Sequence, residues 1–256
     1  MKFEDIKSVN IGGIPTACVS RYELAQVIGD YASQNEPKLQ AAKLIFSANG
    51  HSISEANTDK KYMKIMNSAD LVHADGQSVV QFSKWVAGKS KAIPERTATT
   101  DMIHDIPNFY QAPIRHFLLG GKQEVVASAA NLLAAKYPNF ILAGVKNGYF
   151  SQAQENEIVE QINQSDSQVL WVGLGKPKEQ EFCIRNKDKL TVPIVISCGG
   201  CYNFVTGDYQ RAPAWMQNHG LEWLHRAMTR PKHLLWRYIT TNPHAIYSVL
   251  KHMRSA

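Results

Sequence analysis

The chain has 256 residues, 44% of them hydrophobic and 20% charged, with a formal net charge of +6. These values describe a globular chain able to bury a large core. The longest charge-free run, residues 190–207, is broken by Pro193 and Gly199–Gly200, which excludes a membrane span and reads as a buried strand plus a turn. From Cys201 onward, seven Lys/Arg face two acids, so nearly all of the net charge lies in the last 56 residues. That stretch also carries three of the five Trp and five of the nine His. A near-neutral body with a basic, aromatic tail predicts chemistry in the body and an anionic partner for the tail.

The opening MKFEDIKSVNIGG has no apolar stretch of the signal-peptide kind, so the expected setting is the reducing cytoplasm. There a disulfide framework from Cys18, Cys183, Cys198 and Cys201 is not expected. Cys198 and Cys201 match C-x-x-C but lack a second ligand pair for zinc, and read as small residues around a glycine turn.

One pattern recurs along the chain. KLIFS (43–47) runs into Asn49-Gly50, and DLVH (70–73) into Asp75-Gly76 and a helical QSVVQFSKWVAG. HFLL (116–119) runs into Gly120-Gly121 and a long helix over about 122–137, and residues 140–143 lead towards Gly148. VLWV (169–172) runs into Gly173-Leu-Gly175 and a helical stretch to about 190, and PIVIS (193–197) into Gly199-Gly200. Short apolar runs alternating with helices predict an α/β fold: a mainly parallel sheet with helices on both faces. Ligands of such sheets sit outside the carboxyl ends of the strands, where these glycine turns and Asp75 fall, so one shared crevice is predicted.

After about residue 207 the strand signals stop. Ala212-Pro213 is read as opening a helix, and Asn242-Pro243 as the N-cap and first residue of another. That second helix would carry Ile246, Val249, Leu250 and Met253 as an apolar stripe, either packed on the core or facing a membrane. The expected division is a catalytic α/β core over 1–206 and a basic, aromatic helical appendage over 207–256.

Within the crevice, Gly120-Gly121 and Gly173–Gly175, the latter beside Lys176 and Lys178, offer backbone N–H groups to a phosphate. Neither is a dinucleotide or Walker fingerprint. Asp75 is a candidate general base for a sugar hydroxyl, with capping of the following helix an equal reading. His51, His73 and His104 read as structural histidines. The chain has no D-x-D pair to hold a divalent ion on a nucleotide diphosphate. A diphosphate leaving group would then rely on Arg, Lys and helix N-termini.

Nine segments carry a family resemblance: SANGHSISEA (47–56), ADLVHADGQSVV (69–80), PERTATTD (94–101), FLLGG (117–121), NGYF (147–150), VGLGKPKEQE (172–181), CGGCYNFVTGDYQRAPAW (198–215), GLEWLHR (220–226) and RPKHLLWRY (230–238). On these the chain resembles the bacterial WecG/TagA/CpsF proteins, glycosyltransferase family 26, over roughly residues 8–240. The resemblance implies a Rossmann-like fold. It implies an inverting, metal-independent transfer of a hexose or N-acetylhexosamine from a UDP-sugar to a sugar on a polyprenyl-diphosphate carrier, in cell-surface polysaccharide synthesis. It implies no cofactor, no metal and no nucleic-acid partner, and work at the inner face of the plasma membrane without a span. A homo-oligomer is compatible with it.

Residue by residue, the resemblance makes Asp75 the base, with Ser47 and Asn49 lining the pocket and Arg96 matching the arginine of the family's E-R motif. The glutamine of the family's G-x-P-K-Q-E motif falls on Glu179 or Gln180, and Gln180 is favoured. Tyr149 would stack on uracil, and Asn203 stands where an aspartate near the nucleotide is usual. Ala98-Thr-Thr-Asp101 replaces the commoner A-G-x-D, which implies a different donor sugar. The nucleotide-sugar set is Gly120, Gly121, Tyr149, Gly173, Gly175, Lys176 and Asn203. Arg211, Arg226, Arg230 and Arg237 are candidates for the acceptor diphosphate or the membrane.

Two other readings are weighed. A Rossmann-type oxidoreductase lacks its glycine fingerprint and the acidic residue about 20 positions on. A nucleic-acid-binding module would use the basic aromatic tail.

Overall fold

Continuous apolar runs make the central strands. In the computed structural model, which describes residues 1–33, 42–229 and 231–254, the chain opens with a hairpin, β1 (Ser8–Ile11) and β2 (Ile14–Ala17), followed by α1 (Arg21–Ala32). The central units then follow in order: β3 (Lys43–Ala48), α2 (Gly50–Thr58), α3 (Lys60–Asn67), β4 (Leu71–Ala74), α4 (Gln77–Ala87), α5 (Thr99–Phe109), β5 (Ile114–Gly120), α6 (Gln123–Lys136) and β6 (Phe140–Lys146). Next come α7 (Glu155–Gln164), β7 (Val169–Gly173), α8 (Lys178–Asn186), β8 (Ile194–Ser197) and α9 (Cys201–Val205). The tail holds α10 (Ala214–Asn218), α11 (Glu222–Thr229) and α12 (Pro231–Arg254).

Strands β3 to β8 form one sheet in the order β4-β3-β8-β7-β5-β6, with every described pairing parallel. The architecture is α/β and Rossmann-like, as expected. The chain steps outward from β3 to β4 at one edge and from β5 to β6 at the other, and β7 and β8 return to fill the middle. Strands β4, β7 and β8 are buried at every position, as a sheet covered on both faces requires. Side chains alternate between two cores. Leu44, Phe46, Leu170, Val172 and Val195 point into one. Ile45, Val169, Trp171, Ile194 and Ile196 point into the other, under α1, α5 and α6.

Local signals explain the helix starts that matter for the site. Asn49 caps α2, its side chain accepting from the Ser52 amide. The N-terminal hairpin adds two strands to the sequence-derived set; Gly12 and Gly13 both have positive φ, which a tight two-residue hairpin turn demands.

The tail departs from expectation at Pro243. A helix was expected to begin at Asn242-Pro243, but α12 runs from Pro231 through Pro243 to Arg254 without a break. Packing on both sides of the proline offsets the lost hydrogen bond. Upstream, buried Tyr238 meets Ala227 of α11 and the Trp223 ring. Downstream, Ala245 and Val249 join the main core beside Ile53 and Ala56 of α2. His244 reaches Ser54 at 2.9 Å and His252 reaches Asn57 at 3.1 Å. Of the expected apolar stripe, Val249 is therefore core, while Ile246, Leu250 and Met253 stay exposed.

Candidate functional site

A cavity of about 840 Å³ opens where the carboxyl ends of β3, β4 and β8 and the loop after β7 converge, as the strand-end argument anticipates. Its floor carries Ser47, Asn49, Asp75, Gly175, Lys176 and Gly199; α4 contributes Gln77, Ser78, Gln81 and Phe82. Its far wall is the tail: Trp223 and Arg226 of α11, then Arg237, Tyr238, Asn242 and Ile246 of α12.

Asp75 is the best-connected group. Its Oδ1 accepts from the Thr99 amide at 3.0 Å, and its Oδ2 accepts from Asn49 Nδ2 at 3.2 Å. The capping alternative for Asp75 takes a different form from the one expected. Gly76 caps the following helix α4 without any side-chain bond, while the Asp75 carboxylate sits at the first turn of α5. Burial alone would raise the Asp75 carboxyl, but Lys176, His73, the Thr99 amide and Asn49 outweigh it and hold it below the ordinary carboxylate range. The group is thus ionised at neutral pH and free to accept a proton.

Lys176 donates from Nζ to the Ser47 carbonyl at 2.8 Å. Burial lowers its pKa against the pull of Asp75 and Glu179. His51 also lines the cavity; burial, with Arg237 and Lys176 nearby, pushes its imidazole down to about 4 and keeps it neutral. Arg226 lies over the Phe204 ring at 5.6 Å and Arg237 over the Tyr238 ring at 5.1 Å. Among the described residues, Lys176, Arg226 and Arg237 form no ion pair. Three cations outside any ion pair thus line the cavity that holds Asp75, an arrangement that can hold a polyanion beside a base.

Arg96 lines the cavity, and both it and Arg211 are engaged by carboxylates. Arg96 pairs with Glu222 of α11 and with Asp101 at 3.4 Å, and Arg211 pairs with the same Asp101. Gln217 accepts from both guanidinium groups, at 3.1 and 2.8 Å. Two cations meet two anions, so the cluster fastens the tail to the core and offers no spare charge. Arg230 lies outside the described residues.

Gln180 requires a correction. It was favoured for the catalytic glutamine position, but it is fully buried away from the cavity, with Nε2 3.2 Å from Glu179 Oε1. Glu179 takes the cavity-facing place. Adjacent helical residues diverge by about 100°, so only one of the pair can point there. Glu179 Oε2 accepts from the amides of Gly175 and Gly199, both at 2.9 Å, and so ties the β7 and β8 turns together. Burial pushes its carboxyl up to about 7, against the pull of Lys176 and the two amides.

Folded Glu179 thus binds a proton more tightly than a carboxyl in the unfolded chain. Its contribution to stability falls as pH rises from the ordinary carboxylate range to about 7, then levels off. Glutamine can accept the same two amides without titrating. The Glu179→Gln variant is expected to fold, and its melting temperature relative to the native protein should rise between pH 5 and pH 8. A pH-independent difference would show that Glu179 titrates as an ordinary carboxyl.

The remaining expected nucleotide-site residues lie beside the cavity, not in its wall. Gly120, Gly121 and Gly173 end β5 and β7; the Gly121 amide donates to the Gly173 carbonyl at 3.2 Å. A Cβ on Gly120 would stand 2.2 Å from that carbonyl oxygen, so this glycine serves close backbone packing. Tyr149, past the end of β6, is 75% exposed. Asn203 on α9 meets Asp208 at 3.4 Å.

Sequence reasoning read His51 as structural, favoured Gln180 over Glu179, and missed the α4 wall. Two i,i+4 pairs, Gln77/Gln81 and Ser78/Phe82, are the signal that could have found that wall. Cys198 and Cys201 are free and buried, and burial raises both thiols, which disfavours thiolate chemistry. Among the described residues no three His, Cys, Asp or Glu side chains converge as a metal site.

Comparison with known proteins follows this geometry. A family model described as the glycosyl transferase WecG/TagA/CpsF family matches residues 9–256. An N-acetylglucosaminyldiphosphoundecaprenol N-acetyl-beta-D-mannosaminyltransferase of Bacillus spizizenii strain W23 is 27% identical over 227 residues, 88% of this chain and 84% of the relative. A protein of the same name from Bacillus subtilis strain 168 is 25% identical over 224 residues, 87% and 84% of the two chains.

Proposed function

The chain belongs to the WecG/TagA/CpsF family of glycosyl transferases, and from that premise we propose that it moves a hexose or N-acetylhexosamine from a UDP-sugar to a sugar carried on a polyprenyl diphosphate. The observation that carries this reading is the single cavity in which Asp75 faces Lys176, Arg226 and Arg237. The two Bacillus relatives are named for transfer of N-acetylmannosamine to a diphosphoundecaprenol-linked N-acetylglucosamine. The same acceptor class suits this cavity, which has cations for a diphosphate and a polar wall on α4 for a sugar.

The reaction is a single displacement with inversion. Asp75 takes the proton of the acceptor hydroxyl as its oxygen bonds the anomeric carbon, and the bond to the UDP oxygen breaks with its electron pair on UDP. Ser47 and Asn49 border the reacting groups, and Asn49 orients the carboxylate. Lys176 and the Gly173–Gly175 turn receive the departing diphosphate, and the nucleotide extends along the strand ends past Gly120, Gly121 and Asn203 to Tyr149. Arg226 and Arg237 hold the acceptor diphosphate. Residues 1–206 act as the core that binds the donor and 207–256 as the piece that closes over it, with Arg96 and Arg211 as its fastenings.

No helix among the described residues is long and apolar enough to cross a membrane. The exposed side chains Trp215, Met228, Trp236 and Ile239, set among tail cations, suit the headgroup layer of a bilayer at the cytoplasmic face.

The test is UDP release from a panel of UDP-sugars with a short-chain polyprenyl-diphosphate-linked N-acetylglucosamine. Release that requires both a donor and the acceptor is the expected result. Failure of every pair, or equal release without acceptor, would overturn the reading.

A further inference from the structure

Behind Asp75 lies a hydrogen-bonded chain that the transfer step leaves unused. Thr99 opens α5 and presents two groups to the same carboxylate oxygen: its amide at 3.0 Å and its hydroxyl at 3.4 Å from Asp75 Oδ1. The Thr99 hydroxyl is also 3.4 Å from Nε2 of His73. His73 Nδ1 is 3.4 Å from the Thr97 hydroxyl. All three residues behind the carboxylate are buried: His73 at 0%, Thr97 at 2% and Thr99 at 5% exposure.

The direction of the chain follows from its end. A carboxylate only accepts, so the Thr99 hydroxyl donates to Asp75 Oδ1, and its oxygen is left to accept from His73 Nε2–H. The neutral imidazole then has Nδ1 as its acceptor, 3.4 Å from the Thr97 hydroxyl, which also lies 3.4 Å from the Ala74 carbonyl. The chain ends on the base.

We propose that His73 and Thr99 are positioning residues for Asp75: they engage Oδ1 and leave Oδ2, held by Asn49, as the oxygen that takes the acceptor's proton. This rests on the transferase reading above. No proton passes along the chain; the acceptor proton stops on Oδ2. The role of His73 is to be a fixed neutral donor, and its burial, which pushes its pKa down to about 4, keeps it neutral during turnover. The titratable groups facing Asp75 are His73 from β4, Lys176 from the loop after β7 and Cys201 from α9.

The test compares native protein, Thr99→Val, Thr99→Ser and His73→Leu. Valine keeps the shape and the backbone amide but removes the hydroxyl. Loss of one hydrogen bond to a charged group should lower kcat roughly ten- to a hundredfold, with KM for the UDP-sugar and the affinity for UDP unchanged. Asp75 loses a donor to its ionised form, so the acidic limb of the kcat profile should move to higher pH. Serine should restore both kcat and the limb. His73→Leu should shift the limb the same way, and adding it to Thr99→Val should cost little more, because both act through one chain. A Thr99→Val variant with native kcat and an unmoved limb would overturn the proposal.

A readout without turnover separates this inference from the transferase reading. The ¹⁵N shifts of His73 should report the Nε2–H tautomer, and an Nδ1–H tautomer would sink the chain whatever the activity. If the native protein transfers no sugar while His73 shows the Nε2–H form, the transferase reading falls and the chain stands as structure.

Discussion

Replacing Asp75 with asparagine should abolish turnover while UDP affinity stays near the native value. The two parts of the expectation have separate causes. In the proposed reaction the carboxylate is the proton acceptor, and a positioned base contributes about 10²–10⁴ in rate. The proposed reaction assigns UDP to Lys176 and the glycine turns, so its binding should not need a base. The burial of Asp75 is offset by Lys176, His73, the Thr99 amide and Asn49. The site is therefore built to keep this carboxylate charged, and neutralising it removes the purpose of those contacts. Asparagine can still accept the Thr99 amide through its oxygen. Its NH₂ would then face Asn49 Nδ2, donor against donor, unless one amide turns over. Turnover is read by UDP release with donor and acceptor both present, and affinity by calorimetry with UDP. Near-native release by the variant would remove Asp75 from the role. Loss of UDP binding together with turnover would show that the substitution collapses the cavity.

The central sheet was legible because KLIFS, HFLL, VLWV and PIVIS are too apolar and too short to be anything but buried strands, and the structure buries them on both faces. The N-terminal hairpin was not, since its strands are only four residues long and the second, Ile14–Ala17, contains Pro15 and breaks the alternation. Pro243 misled for a physical reason: a proline predicts a helix start, and only packing that anchors both flanks lets a helix run through it. The same division holds in the site. Asp75 and Lys176 could be read from the chain because strand ends in a parallel sheet share one edge, while Ser47 and Asn49 came only with the family's motif. The choice between Glu179 and Gln180 depends on helix orientation, which spacing does not carry. Neither the charge count that included Arg211 nor the family motif that marked Arg96 shows their partners, because Glu222 and Asp101 are 126 and 110 residues away.

Ending the chain after Thr206 should abolish transfer to a lipid-linked acceptor and lower the melting temperature by several degrees. The sequence alone suggested a detachable tail. The packing argues for a stronger coupling, because α12 seats Ala245 and Val249 in the main core against α2. Fully burying one Val side chain contributes about 1.5–3 kcal/mol, and truncation exposes its neighbours Ile53 and Ala56 as well. Truncation also strips Trp223, Arg226, Arg237 and Tyr238 from the cavity, and leaves Arg96 without Glu222. A less drastic variant separates packing from charge: Arg226→Gln with Arg237→Gln keeps the helices in place but removes two of the three unpaired cations. That double variant should melt near the native temperature and lose roughly a hundredfold in kcat/KM for the diphosphate-linked acceptor, about 1.4 kcal/mol for each tenfold. A third variant, Trp215→Ser with Trp236→Ser, alters only exposed aromatics. It should turn over the short-chain acceptor at the native rate yet bind anionic vesicles weakly. If truncated protein transfers sugar normally, the tail is no part of the catalytic cavity. If the tryptophan variant binds vesicles as well as native protein, the membrane face lies elsewhere on the molecule.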